Sequence, residues 1–146
     1  MIRITDTLTT EHATLRMLFS KVEGLLPGLA NLGELRLLVA LLEQALHQHE
    51  EDEENLFFGA LHQTVSHIKE LEELSVAHGK LDKQLSSVTK QKDLEAGKKA
   101  LVKALAAVRQ HFNIEESDTF PKIKERLGKH SLKALGGAWL NDRSTL

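Results

Sequence analysis

His49-Glu50-Glu51-Asp52-Glu53-Glu54-Asn55-Leu56-Phe57-Phe58 is the stretch on which the reading of this chain turns. Upstream of it, Leu35, Leu38, Leu42 and Leu46 recur at steps of three and four, the period of one helix face. The same stripe then runs on through His49, Glu53, Leu56 and Ala60, so a histidine and an acid occupy positions where apolar residues are expected. Five consecutive acids, Glu50 to Glu54, at about 100° per residue go right around a helix, so at least one must point inward. Glu53 follows the stripe; Glu50, one turn before it and beside His49, is a further candidate. This helix is predicted from about Gly33 or Glu34 to Ala60.

A second segment has the same layout. Aligning His49 with His111 matches Glu53, Glu54 and Phe58 to Glu115, Glu116 and Phe120 at a constant offset, as in a bundle with two similar halves. Its helix begins near Asp93, carries Leu94, Leu101, Leu105 and Val108 into His111 and Glu115, and is expected to loosen or end at Phe120 and Pro121. A first helix, capped by Thr5 or Asp6 and ended by Pro27 and Gly28, shows Leu8, His12, Leu15, Phe19, Val22 and Leu26 on one face. A third, from about Val65 to Lys90, shows Ile68, Leu71, Leu74, His78, Leu81, Leu85 and Val88. Short connections make neighbours antiparallel, giving an all-α, up-down-up-down four-helix bundle over residues 1–127. Residues 128–146, with a short helical stretch Ser131 to Leu135, Gly136, Gly137 and Trp139, are expected to pack on the outside of the bundle.

Composition narrows the chemistry. The chain has 146 residues, 41% apolar, and suits one domain with one core. A formal net charge of -2, with both signs spread along the chain, offers no basic patch for a phosphate backbone, and nucleic acid is not an expected partner. The absence of cysteine excludes thiolate metal sites, iron–sulfur clusters and thiol catalysis, so a metal would bind nitrogen and oxygen. Met1 to Thr10 has no signal-peptide pattern and no apolar run approaches a membrane span, so a cytoplasmic protein without membrane contact is expected.

In the antiparallel arrangement His12 (early in the first helix), His49 (late in the second), His78 (early to middle in the third) and His111 (late in the fourth) fall near one level, within a spread of roughly 10 Å. A lone histidine on an apolar stripe is more often a satisfied core residue. A His and Glu four apart is more often a surface helix pair. One histidine from each of four helices at one level is a different matter. Burying them with Glu53 and Glu115 would cost several kcal/mol per unpaired charge, a penalty that two divalent cations would remove. Mixed imidazole and carboxylate donors suit iron better than calcium or magnesium, and bundle cores are where carboxylate-bridged metal pairs occur. Glu54 and Glu116 fall off the stripe and read as surface residues, as do His47, His62, His67 and His130. The phenylalanines read as packing.

These residues resemble the hemerythrin-like family, the HHE cation-binding domain. The resemblance covers roughly Thr5 to Leu127 and rests on Glu11-His12, the His49-to-Glu53 motif running into Phe57 and Phe58, the isolated His78, and the His111-to-Glu115 motif running into Phe120-Pro121. It implies a non-haem di-iron centre of two iron ions, one held by His12 and His49, the other by His78 and His111, with Glu53 and Glu115 bridging. The oxygen-carrying members use a fifth histidine one turn before the third-helix ligand, where this chain has Leu74, and place an aspartate five residues after the last histidine, where this chain has Glu115 after four. The pattern is closer to iron-sensing and stress-response branches. If Glu50 replaces the missing histidine, the site gains a donor; if not, a coordination position stays open to a small ligand.

The implied function is a di-iron protein that binds or senses oxygen, nitric oxide or iron, its partner a small diatomic ligand. Two alternatives stand beside it. One is a di-iron redox enzyme reducing peroxide or nitric oxide or oxidising iron. The other is a metal-stabilised interaction or regulatory module with a protein partner.

Overall fold

The computed structural model describes residues 4–61 and 69–125. Four helices form a bundle: α1 (Ile4–Leu25), α2 (Leu32–Leu61), α3 (Lys69–Ser87) and α4 (Leu94–Ile114). No strand occurs among the described residues. α1 packs on α2 and α4, and α3 packs on the same two.

Local chemistry sets the helix ends. Pro27 sits in a single 3-10 turn, Leu26–Gly28, that stops α1. α2 then starts from a reciprocal cap: Asn31 Oδ1 accepts from the Glu34 N–H at 2.9 Å, and Glu34 Oε2 accepts from the Ala30 N–H at 2.8 Å. Asp93 caps α4, its carboxylate accepting from Ala96 N–H at 2.8 Å. Thr5 and Asp6, expected as caps, lie inside the first turn instead, because the helix already includes Ile4.

Of the two outcomes expected near Phe120 and Pro121, the helix loosens rather than ends. A five-residue π turn, Glu115–Thr119, follows α4, the Phe120 N–H reaches back to the Glu115 carbonyl, and residues 120–125 are helical again. The wider turn gives the proline ring, which has no N–H to donate, room against the preceding carbonyls.

The apolar stripes meet as their spacing predicts. Leu15, Phe19, Val22 and Leu26 from α1 and its 3-10 turn join Leu35, Val39, Leu42 and Leu46 from α2, Leu85 and Val88 after α3, and Leu101, Leu105, Val108 and Phe112 from α4. This core fills the part of the bundle nearest the α1–α2 and α3–α4 connections. Gly97 lets α2 and α4 approach closely there, since a Cβ at this position would run into the Leu35 side chain. Toward the opposite end, Leu8, Phe57, Leu74, Phe120 and Ile123 are also buried. Between the two apolar layers lies a polar one.

The side chains of Leu56, Phe58, Ala60, Ile68 and Leu71, the whole of His62 and His67, and residues 126–146 with His130, Ser131 to Leu135 and Trp139 lie outside those described.

Candidate metal centre

The polar layer is made by all four helices. His12 on α1, His49 and Glu53 on α2, His78 on α3, and Glu115 at the junction of α4 with the π turn are buried, and His111 on α4 is 11% exposed. Each reaches the interior because it occupies a stripe position that elsewhere carries Leu, Val or Phe. The imidazoles converge through Nε2. His12 Nε2 lies 2.9 Å from His49 Nε2, 3.1 Å from Glu53 Oε1 and 3.4 Å from Glu115 Oε1. His49 Nε2 is 2.5 Å from Glu53 Oε1, His78 Nε2 is 3.2 Å from Glu53 Oε2, and His111 Nε2 is 3.1 Å from Glu115 Oε1.

Two overlapping groups result. His12, His49, Glu53 and Glu115 each offer a donor atom within 4.8 Å of the others, and so do His78, His111, Glu53 and Glu115. Both carboxylates belong to both groups. Glu53 divides its oxygens, Oε1 toward the first pair of histidines and Oε2 toward His78.

The donors are poorly satisfied by one another. Glu53 Oε2, His78 Nε2, His111 Nε2 and both Glu115 oxygens are buried without a well-formed hydrogen bond, an expense of roughly 1–3 kcal/mol per group if nothing else is bound. The protonation pattern reflects the crowding. Burial and the adjacent Glu115 push the Glu53 carboxyl up to about 8. Burial would raise Glu115 too, but the imidazoles of His111 and His12 beside it hold it well below the usual carboxylate range. The two carboxyls are thus pushed in opposite directions, as expected of like charges held close together. For His12 and His78 burial works against charge, yet Glu115 and Glu53 around the first ring and Glu53 around the second outweigh it and raise both. Lone pairs clustered around shared carboxylates, and protons held where a cation would be, fit a pair of metal ions.

A profile of the hemerythrin HHE cation-binding domain matches residues 3–124. The chain belongs to the hemerythrin family. No curated protein and no solved structure matches it.

Three further acids complete this hemerythrin domain. The His49 Nδ1–H donates to Glu11 Oε1 at 2.7 Å and the His78 Nδ1–H to Glu54 Oε1 at 3.0 Å, which favours, in the neutral rings that bind metal, the tautomer with its Nε2 lone pair directed inward. Glu116 Oε1 lies 3.7 Å from His12 Nδ1, and Arg16 grips Glu116 from outside with contacts of 3.1 and 2.5 Å. The guanidinium holds the Glu116 carboxyl below its ordinary range. Glu54 and Glu116 were expected at the surface; they are partly exposed, but each directs an oxygen at a histidine. Each is the residue after a stripe acid, one step around the helix, where it reaches the ring from a neighbouring helix.

Glu50, the other acid proposed for the interior, is buried but stands apart from both groups. Its side chain faces Asp82 on α3, with His47 beside them. Burial and Asp82 push its carboxyl up to about 9. His47 is exposed, as expected.

The phenylalanines enclose the polar layer. Phe112 stacks on His12 with ring centres 4.0 Å apart and planes 9° from parallel, and Phe120 lies 5.6 Å from the same ring. Phe57 and Phe120 meet at 5.9 Å.

Proposed function

We propose that this hemerythrin domain holds two iron ions, His12 and His49 binding one, His78 and His111 the other, with Glu53 and Glu115 bridging, and that the pair binds a small diatomic ligand such as oxygen or nitric oxide. The observation that carries the reading is the sharing of Glu53 and Glu115 between two otherwise separate histidine pairs. Imidazole with carboxylate is a donor set suited to iron.

Bound iron would supply redox chemistry and open coordination positions. The protein's own residues do the rest. Glu11 and Glu54 hold the His49 and His78 rings in the tautomer that presents Nε2, and Arg16 positions Glu116 beside His12. Phe57, Phe112 and Phe120 keep the layer dry, which strengthens each charge interaction inside it. Leu74, buried one turn before His78, offers no donor where the oxygen carriers have an additional histidine. Each ion would have the same set, two histidines and two shared carboxylates, which is fewer donors than iron takes and would leave positions for an external ligand.

Purification under strict anaerobiosis with ferrous iron, followed by metal counting and visible spectra before and after admission of air or nitric oxide, tests this. Two irons per chain and a new visible band that depends on the added gas are expected. A chain that retains no stoichiometric iron would overturn the assignment.

A further inference from the structure

Away from the central layer, α2 and α3 bring together a second kind of donor cluster. His47 and Glu50, three apart and therefore on one face of α2, meet Asp82 of α3. His47 Nε2 lies 3.3 Å from Asp82 Oδ1, and one donor atom from each of the three residues lies within 4.8 Å of the others. Donors bound to one small cation at about 2.1 Å are spaced roughly 3–4 Å apart, so the first pair already has ligand spacing and the third needs only a small side-chain adjustment.

A surface ion pair between His47 and Asp82 would account for two of these residues and leave the third, a buried carboxyl, held against Asp82. Glu50 is only 8% exposed, and the group it faces is another carboxylate, Asp82, with which it can hydrogen-bond only while one of the two holds a proton. Its chain neighbour His49 and the nearby Glu54 are both engaged with the central layer, His49 with Glu11 and Glu53, Glu54 with His78. No Lys or Arg forms an ion pair with Glu50 or Asp82 among the pairs of the described residues. Two carboxylates from different helices and an imidazole 52% open to solvent therefore converge on one point, with no Lys or Arg paired to either acid among the described residues.

We propose that His47, Glu50 and Asp82 form a third, solvent-facing site for a divalent first-row cation, distinct from the central pair and sharing no residue with it. Three protein donors with the remaining positions open to water make it weaker and more readily exchanged than a site with four buried donors. The proposal does not depend on whether the central layer holds metal.

The test is a titration of the full chain with Zn2+, followed through the His47 ring-proton resonance, which is assigned by its loss in His47→Ala. The resonance is expected to shift in the unmodified protein and to shift equally in His111→Ala, whose defect lies in the central layer. In Asp82→Asn, with the helical circular dichroism unchanged, the Zn2+ concentration for half the shift should rise at least about tenfold. A His47 resonance that does not respond to Zn2+, or that responds identically in Asp82→Asn, would overturn the proposal. Loss of central metal in His111→Ala is a separate readout and bears only on the di-iron reading.

Discussion

Glu11 Oε1 stands 2.7 Å from His49 Nδ1, while the other ring nitrogen of His49 faces Glu53 at 2.5 Å. One imidazole is thus held between an outer carboxylate from α1 and an inner one from its own helix. The outer contact orients the ring without entering the centre. Glu11→Gln should therefore leave the bundle folded and lower metal affinity by about 10–100-fold, as read by competition with a chelator. An unchanged affinity would mean that packing against Phe112 alone sets the ring.

Sharing makes the bridging acids unequal to the histidines. Glu53→Gln removes a donor from both groups, whereas His111→Ala removes one from a single group. Metal analysis should find neither ion retained at stoichiometry in Glu53→Gln, but one ion held, at reduced affinity for the second, in His111→Ala. Equal losses in the two variants would contradict the bridging role.

The metal-free protein should become less stable as pH rises from about 5 to 8. Glu53 is raised from 4.5 to about 8, so between those values the folded state binds a proton that the unfolded chain has released. His12 and His78 are raised as well, and their contribution, fully present below 6.5, is lost as pH climbs through their folded values. Glu115, lowered, is ionised in both states across this window and adds no slope. The expected loss is on the order of a few kcal/mol, measurable by denaturant titration. Metal affinity should move the opposite way, rising with pH as those protons are released on binding. A flat or rising stability profile of the metal-free protein would refute this account.

Phe112 is buried, packs on Phe19 at 6.0 Å between ring centres, and stacks on His12 at 4.0 Å. Phe112→Ala should cost about 3–5 kcal/mol from the lost burial and the cavity. Bound metal should restore part of that by mass action. The check is the melting temperature of the variant with and without metal. Metal that does not raise it would mean that the variant no longer binds the ions and that this ring is needed to form the centre.

Much of this arrangement was legible in the chain. Leu8, Leu15, Phe19, Val22, Leu35, Leu42, Leu46, Leu85, Leu101, Leu105 and Val108 are buried because a 3.6-residue period places them on one face, and the same period carried His12, His49, Glu53, His78 and Glu115 inward. What escaped is what does not follow a stripe. Glu11, Glu54 and Glu116 act on rings from other helices, and no spacing along one helix reveals a partner across the bundle. Glu50 lies on a face that meets α3 rather than the centre, a difference decided by where Asp82 sits. Among the described side chains the ring that meets Phe120 is Phe57, a contact between two helices that the offset alone does not give. Phe120 and Pro121 signalled a helix that loosens or ends, and which of the two occurs was not legible from the chain.

The ring of outer acids also has an electrical meaning. Two divalent ions would bring four positive charges into the bundle, and the bridging pair cancels half of them. Glu11, Glu54 and Glu116 supply three negative charges more, of which Arg16 neutralises one. By formal count the loaded assembly is neutral, and a single vacancy leaves it negative by two. Loaded in that way, such a pocket would discriminate by valence as much as by donor type: monovalent ions would underfill it and trivalent ones overfill it, leaving an excess positive charge for an anionic ligand to balance.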